Sequence, residues 1–146
     1  MPERKPIALP TLVSLLICDQ VIDDKITNKK SAIGLFNAVL VPKVPATIHQ
    51  LVVLASVTEI ETRVELELRL VRDADDEVLF RTHGPIESPS PLGTVDLVFN
   101  LQGIQVAMAG QYAFEIVCAG EVLGRRRFQV VQRPPRAPEA GATPPS

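Results

Sequence analysis

The side chains able to do covalent or metal chemistry are few: Cys18, Cys118, His49, His83, and two acidic groups, Asp19 with Asp23 and Asp24, and Asp73, Asp75, Asp76 and Glu77. A serine or cysteine nucleophile needs a histidine beside it to take its proton. Both cysteines sit inside apolar runs, a setting that raises a thiol pKa and makes it inert. His83 lies in a proline-containing stretch and His49 opens an apolar one beside Gln50, so both are expected to face solvent. Two Cys and two His this far apart do not make a structural zinc site. The run Asp73 to Glu77 is the best metal candidate, because oxygen ligands bunched in a loop suit calcium. It lacks the central Gly and terminal Glu of an EF-hand, and a turn of short acidic residues is ordinary solvated surface. These residues imply a chain without catalytic residues, cofactor or metal, hence not an enzyme.

Charge argues against nucleic acid and acidic membranes as partners: the net charge is -2 and the pI about 5.7. The only basic patch is Arg125-Arg126-Arg127, with Arg133 and Arg136 further on. Consecutive strand residues point to opposite faces, so only Arg125 and Arg127 can align. Edge-strand protection explains them most simply, since positive charge on the last strand blocks edge-to-edge association. Aromatic residues are only 4% of the chain and Trp is absent, so stacking platforms for bases or sugars are scarce.

The elements that must carry these residues are strands. From Thr62 to Arg72, Val64, Leu66, Leu68 and Leu70 alternate with Arg63, Glu65, Glu67 and Arg69, giving one buried row and one wet row with charges of both signs. This is expected to be an outer strand beside a more enclosed one at Leu51 to Val57. Residues 12 to 22 form a nearly continuous apolar run, a strand buried on both faces or paired centrally. After a polar turn at Asp23 to Lys30, extended structure resumes from Ser31 to Val41, with Gly34 marking a bulge or a close backbone approach. Thr47 to Thr58 reads as a central strand, Val78 to Thr82 as the partner of 62 to 72 across the acidic turn, and Thr94 to Gln102 as a further strand. His83 to Gly93, with Pro85, Pro89 and Pro91, is expected to cross between sheets, and Gly103 to Gly110 to hold a short helical turn.

The last hairpin joins Gln111 to Cys118 with Val122 to Gln132, Gly120 supplying the positive φ of a tight turn. A three-residue turn puts Arg126 on the apolar face, which a bulge near Gly124 or an edge position would relieve.

At the N-terminus, basic residues followed by Ile7 to Cys18 suggest a secretory signal. Ile17 stands where a lipoprotein box wants a small residue, Pro6 and Pro10 break the run, and no stretch is long enough to span a bilayer as a helix. A cytoplasmic protein is therefore expected, with both cysteines reduced. The expected organisation is an N-terminal extension at 1–11, one domain at 12–132 and a disordered proline-rich tail at 133–146.

Seven to eight short strands with turns about every ten residues and no amphipathic helix imply an all-β sandwich or barrel. Ala109-Gly110-Gln111-Tyr112-Ala113-Phe114 resembles the Gly-x-Tyr-x-Phe entry to the penultimate strand of immunoglobulin-like domains, in which the tyrosine hydroxyl locks the preceding corner by bonding to the backbone. Cys18-Asp19, together with Asn28-Lys29-Lys30-Ser31-Ala32-Ile33-Gly34, resembles an uncharacterised family of bacterial β-sandwich proteins, although Asn-Lys-Lys replaces the Gly-Lys of its turn. That resemblance spans 12 to 131 and supports the fold; with the Gly-x-Tyr motif it implies an immunoglobulin-like antiparallel β-sandwich, in which Gly110 and Tyr112 join Gly34 and Gly120 as structural residues. It implies no activity. Two functional readings follow: a non-enzymatic structural or protein-interaction module, or a small-ligand or carbohydrate-binding sandwich with its site in the end loops Asp73 to Glu77, His83 to Pro91 and Gly103 to Gly110.

Overall fold

The computed structural model describes residues 8–133. Nine strands follow one another: β1 (Thr11–Asp24), β2 (Lys29–Leu35), β3 (Ala38–Val41), β4 (Ala46–Thr58), β5 (Val64–Arg72), β6 (Glu77–Ile86), β7 (Thr94–Val106), β8 (Gly110–Cys118) and β9 (Glu121–Gln132). They form a four-stranded sheet in the order β2-β1-β4-β7 and a five-stranded sheet in the order β3-β9-β8-β5-β6. The protein is all-β, and no helix among the described residues is long and apolar enough to cross a membrane. The expected tail lies outside the described residues apart from Arg133, and so does most of the N-terminal extension.

Alternation decided which side of each strand enters the interlayer core. Leu66, Leu68 and Leu70 of β5 meet Leu51, Val53, Ala55 and Val57 of β4 and Ile17 of β1 there, all essentially without solvent contact. Three aromatic rings anchor the same layer: Phe128 stacks on Tyr112 at 5.7 Å and on Phe114 at 5.4 Å between centroids. As expected, β4 is interior, flanked by β1 and β7, and β1 is paired on both sides. β1 is not buried on both faces throughout, since Val13 is exposed.

Several expectations are corrected. There are nine strands because the extended run 31–41 is two, β2 in one sheet and β3 in the other. The chain changes sheets at Phe36 and Asn37, where Phe36 N–H donates to Ile17 O (3.2 Å) and Gln129 N–H donates to Asn37 O (2.9 Å). β3 then runs parallel to β9, Val39 opposite Val130, so the sandwich is not purely antiparallel. This makes the end of β9, residues 129–132, interior, while the stretch 121–128 that carries Arg125 and Arg127 has no strand paired on that side among the described residues. Arg125 reaches Glu115 at 3.1 Å, and Arg127 lies 3.9 Å from Asp73.

β5 is likewise interior, between β8 and β6, and lies in the opposite sheet from Leu51 to Val57. Its wet row pairs within the strand and across to β6: Glu67 takes Arg69 of β5 at 3.2 Å and Arg81 of β6 at 3.6 Å. β6 continues through His83 to Ile86, because an edge strand tolerates the missing N–H of Pro85, and the crossover shrinks to 87–93. Where a helical turn was expected after Gly103, β7 continues to Val106. The last hairpin closes on two residues, Ala119 and Gly120, both with positive φ (51° and 79°), and β9 begins at Glu121. Its register slips between Ile116 and Val117, opposite Gly124 and Val122. That is the bulge beside Gly124. It leaves Arg126 opposite Phe114 on the core side, at the margin where its Nη2 donates to Asn37 Oδ1 (2.7 Å) and pins the sheet-switching segment.

Candidate functional site

The acidic turn is engaged by the protein's own cation. Arg72, at the end of β5 opposite Tyr112, is nearly buried; its Nε donates to Asp75 Oδ1 (3.0 Å), its Nη2 to Asp75 Oδ2 (2.7 Å), and Nη2 also contacts Glu77. Asp73 faces Arg127, and Asp76 takes the left-handed turn position at φ 56°. Among the described residues no group of three His, Cys, Asp or Glu is placed to hold a metal ion. Two of the four carboxylates named for calcium, Asp75 and Glu77, are thus taken up by Arg72, and the turn folds back on that arginine at the end of β5.

The Arg72 hydrogen bonds hold the Asp75 carboxyl below the usual carboxylate range, and the backbone N–H groups of Ile26 and Thr27 do the same for Asp24. A carboxyl with a depressed folded pKa adds stability at pH above its unfolded value, about 3.9, and loses it as pH falls through the lower folded value. The urea midpoint should accordingly fall as pH drops below about 4, and Asp75→Asn should lose less of its stability on acidification than the parent. An unchanged acid slope in Asp75→Asn would remove this assignment.

Four sequence-predicted residues take structural places. Tyr112 is buried and its hydroxyl donates to Met108 O (2.6 Å), closing the corner before β8. Gly110 opens that strand at φ 138°, and Gly120 completes the last hairpin. Gly34 has φ 74°, and a Cβ there would strike the Asp19 carboxylate, so the close approach is the one that applies. Cys18 and Cys118 are buried free thiols in opposite sheets, and burial raises both pKa values. His49 and His83 are exposed, as expected, with His83 Nδ1 2.7 Å from Glu65 Oε1.

The end loops do not converge on one site. Turns 73–76 and 107–109 share one end, where Asp73 N–H donates to Gln111 O (3.0 Å). The crossover 87–93 lies at the other end, where Glu59 N–H donates to Pro91 O (3.0 Å).

The two lateral margins of the sandwich differ more sharply than its ends. On one side β1 packs on β9 so closely that a Cβ at Gly124 would come within 2.6 Å of Leu12 Cδ2, and the chain itself crosses at Phe36 and Asn37. Counting strands outward from that contact, β4 faces β8, β7 faces β5, and β6 has no strand across from it. The margin between β6 and β7 is accordingly open. One cavity of about 380 Å³ lies among Leu79, Phe80, Leu101, Gly103 and Ile104. A second of about 140 Å³ lies among Leu66, Thr82, Gly84, Ile86, Leu97 and Phe99. The inward row of β6 reads Phe80, Thr82, Gly84, Ile86, and a Cβ at Gly84 would touch nothing within 4 Å. Gly84 is thus a notch in an otherwise large-residue row.

β7 borders this opening and is the least guarded edge. β2 carries Lys29, Lys30 and the left-handed Gly34; β3 has four residues; β6 carries Arg81 and Pro85. β7 has thirteen residues, no Lys, Arg or Pro, and one charge, Asp96; its left-handed Gly103 lies toward the far end and leaves residues 94–102 as a regular edge. Natural edges usually carry such guards because unpaired N–H and C=O groups template another strand. Sequence reading missed this site because Pro85 made 83–86 look like a crossover. The signal was present in the alternation Phe80, Thr82, Gly84, Ile86.

The sequence pattern of a family of unknown function, DUF6941, matches residues 13–131, all but the termini of the sandwich. The chain belongs to this family. No curated protein matches it. The DUF6941 match begins within β1 and ends within β9, so it takes in β6, β7 and the open margin between them.

Proposed function

We propose that the protein is a non-enzymatic interaction module that takes up an extended segment of a protein partner by strand addition to β7. The observation that carries this reading is the unguarded β7 edge beside an apolar margin with no strand opposite β6. Backbone hydrogen bonds along the edge supply affinity in this mode, and alternate side chains entering the margin supply selectivity. We also read the sandwich as immunoglobulin-like, which the Tyr112 hydroxyl bond to Met108 supports, and as cytoplasmic, which the two free thiols fit.

The test places a guard on the edge. Val98 projects from the outer face of β7, so Val98→Lys adds the charge that natural edges carry without touching the core. The parent should form a defined assembly with its native partner, measured by light scattering, and Val98→Lys should weaken it at least about tenfold with an unchanged melting temperature. Equal assembly by the variant would end the strand-addition reading.

A further inference from the structure

We infer that the segment taken by β7 is a single extended stretch of another protein, with apolar residues at alternate positions, its bulkiest over Gly84, and a Lys or Arg on its outward side beside Asp96. This rests on the strand-addition reading and specifies the partner that reading requires. A strand laid along β7 continues the four-stranded sheet into the position opposite β6. Its inward side chains then point at Phe80, Thr82, Gly84 and Ile86. The cavity at Gly84 lies level with Leu97 and Phe99, and the larger one lies near Leu101 to Ile104, about four residues or 13 Å further along at the rise of a strand. Four residues is an even spacing, so one strand can address both cavities from the same face.

A second copy of this chain does not fit. Two β7 edges joined about a twofold axis would bring β6 of each protomer beneath β7 of the other, into space already filled by the partner's β5. The overhanging β6 admits one strand without a second layer of its own. The chain's own termini do not fit either. Residues 1–7 contain Pro2 and Pro6, and residues 134–146 contain Pro134, Pro135, Pro138, Pro144 and Pro145, which cannot donate to a ladder, and neither segment alternates apolar residues.

Charge selects the outward side. Asp96 is the only charge on β7, it accepts a hydrogen bond from Ser56 Oγ (2.6 Å), and no cation is paired with it among the described residues. A basic residue at the neighbouring cross-strand position complements Asp96, and an acidic one opposes it.

The experiment uses the full chain and a synthetic peptide as long as the regular edge Thr94–Gln102, with Thr outward, Val inward, Leu at the central inward position and one outward Lys. Amide exchange of β7 and a titrated Kd are read together. The β7 amides should gain protection. Replacing the central Leu by Ala should weaken binding about tenfold, and Lys by Glu about threefold at low salt, the latter effect shrinking as salt is added. Gly84→Val or Thr82→Leu, each filling the notch from within, should weaken the Leu peptide about tenfold while the fold is retained. Protection of β7 with equal affinity for the Leu and Ala peptides, or with no loss in both notch variants, overturns the inference and leaves strand addition standing. Protection that rises with protein concentration in the absence of peptide overturns it in favour of a second copy. No protection of β7 by any peptide removes strand addition and this inference together.

Discussion

Phe128→Ala is expected to lower the unfolding free energy by about 3–5 kcal/mol, close to the whole stability of many domains of this size. Phe128 is 1% exposed and lies between Tyr112 and Phe114, with ring planes within 24° and 19° of each. Its removal therefore costs the transfer energy of the ring, the cavity left between two rigid aromatics, and two stacking contacts of about 0.5–1.5 kcal/mol each. Phe128→Leu keeps most of the volume and should cost only about 1–2 kcal/mol. Urea unfolding should resolve the difference, at roughly 1–3 kcal/mol per molar for a small domain. A cost below about 1 kcal/mol for Phe128→Ala would mean that the aromatic cluster does not anchor the core.

The second large effect concerns the closed margin. Val is a better strand former than Gly, and at an unobstructed strand position Gly124→Val should gain about 0.5–1 kcal/mol. Here the new Cβ would lie 2.6 Å from Leu12 Cδ2, and the γ-methyls would add to the overlap. Overpacking of this kind costs about 1–3 kcal/mol, so net destabilisation is expected. The partner change is informative: Leu12→Ala vacates the space, and the double variant should be more stable than the two single changes summed, by about 1 kcal/mol. Strict additivity would show that β1 and β9 do not touch at this point. It would also remove the anchor from which the strands were counted across the sandwich.

These two sites lie on opposite sides of what the sequence discloses. Phe128 was legible as a core residue from its alternation with Val130 and Tyr112's neighbours, but Gly124 was legible only as a bulge candidate. Its contact with Leu12 joins residues 112 positions apart, in different sheets. The candidate site was less legible still. Pro85 is a reliable sign against an interior strand, and it led to a crossover at 83–93; only an edge position reconciles Pro with pairing to Glu65. The acidic turn was visible as a cluster, but its role was not, because nothing in the alternation of 62 to 72 marked Arg72 as the cation those acids neutralise.

Local pattern by itself determined that this chain is all-β, that Leu66, Leu68 and Leu70 share a buried face, that Tyr112 and Gly110 form a corner, and that Gly120 makes a turn. Period-two alternation and positive-φ demand are properties of neighbouring residues, so short sequence carries them. Only the tertiary structure decided which strands are edges. β5 became interior because β8 pairs on the side away from β6, the end of β9 became interior because β3 pairs with it, and β7 became the open edge because the four-stranded sheet stops one strand short of the five-stranded one. Edge status depends on which distant segment supplies the next ladder. Backbone N–H and C=O groups pair with any strand alike, so residue type along β7 could not announce that its outer side is free.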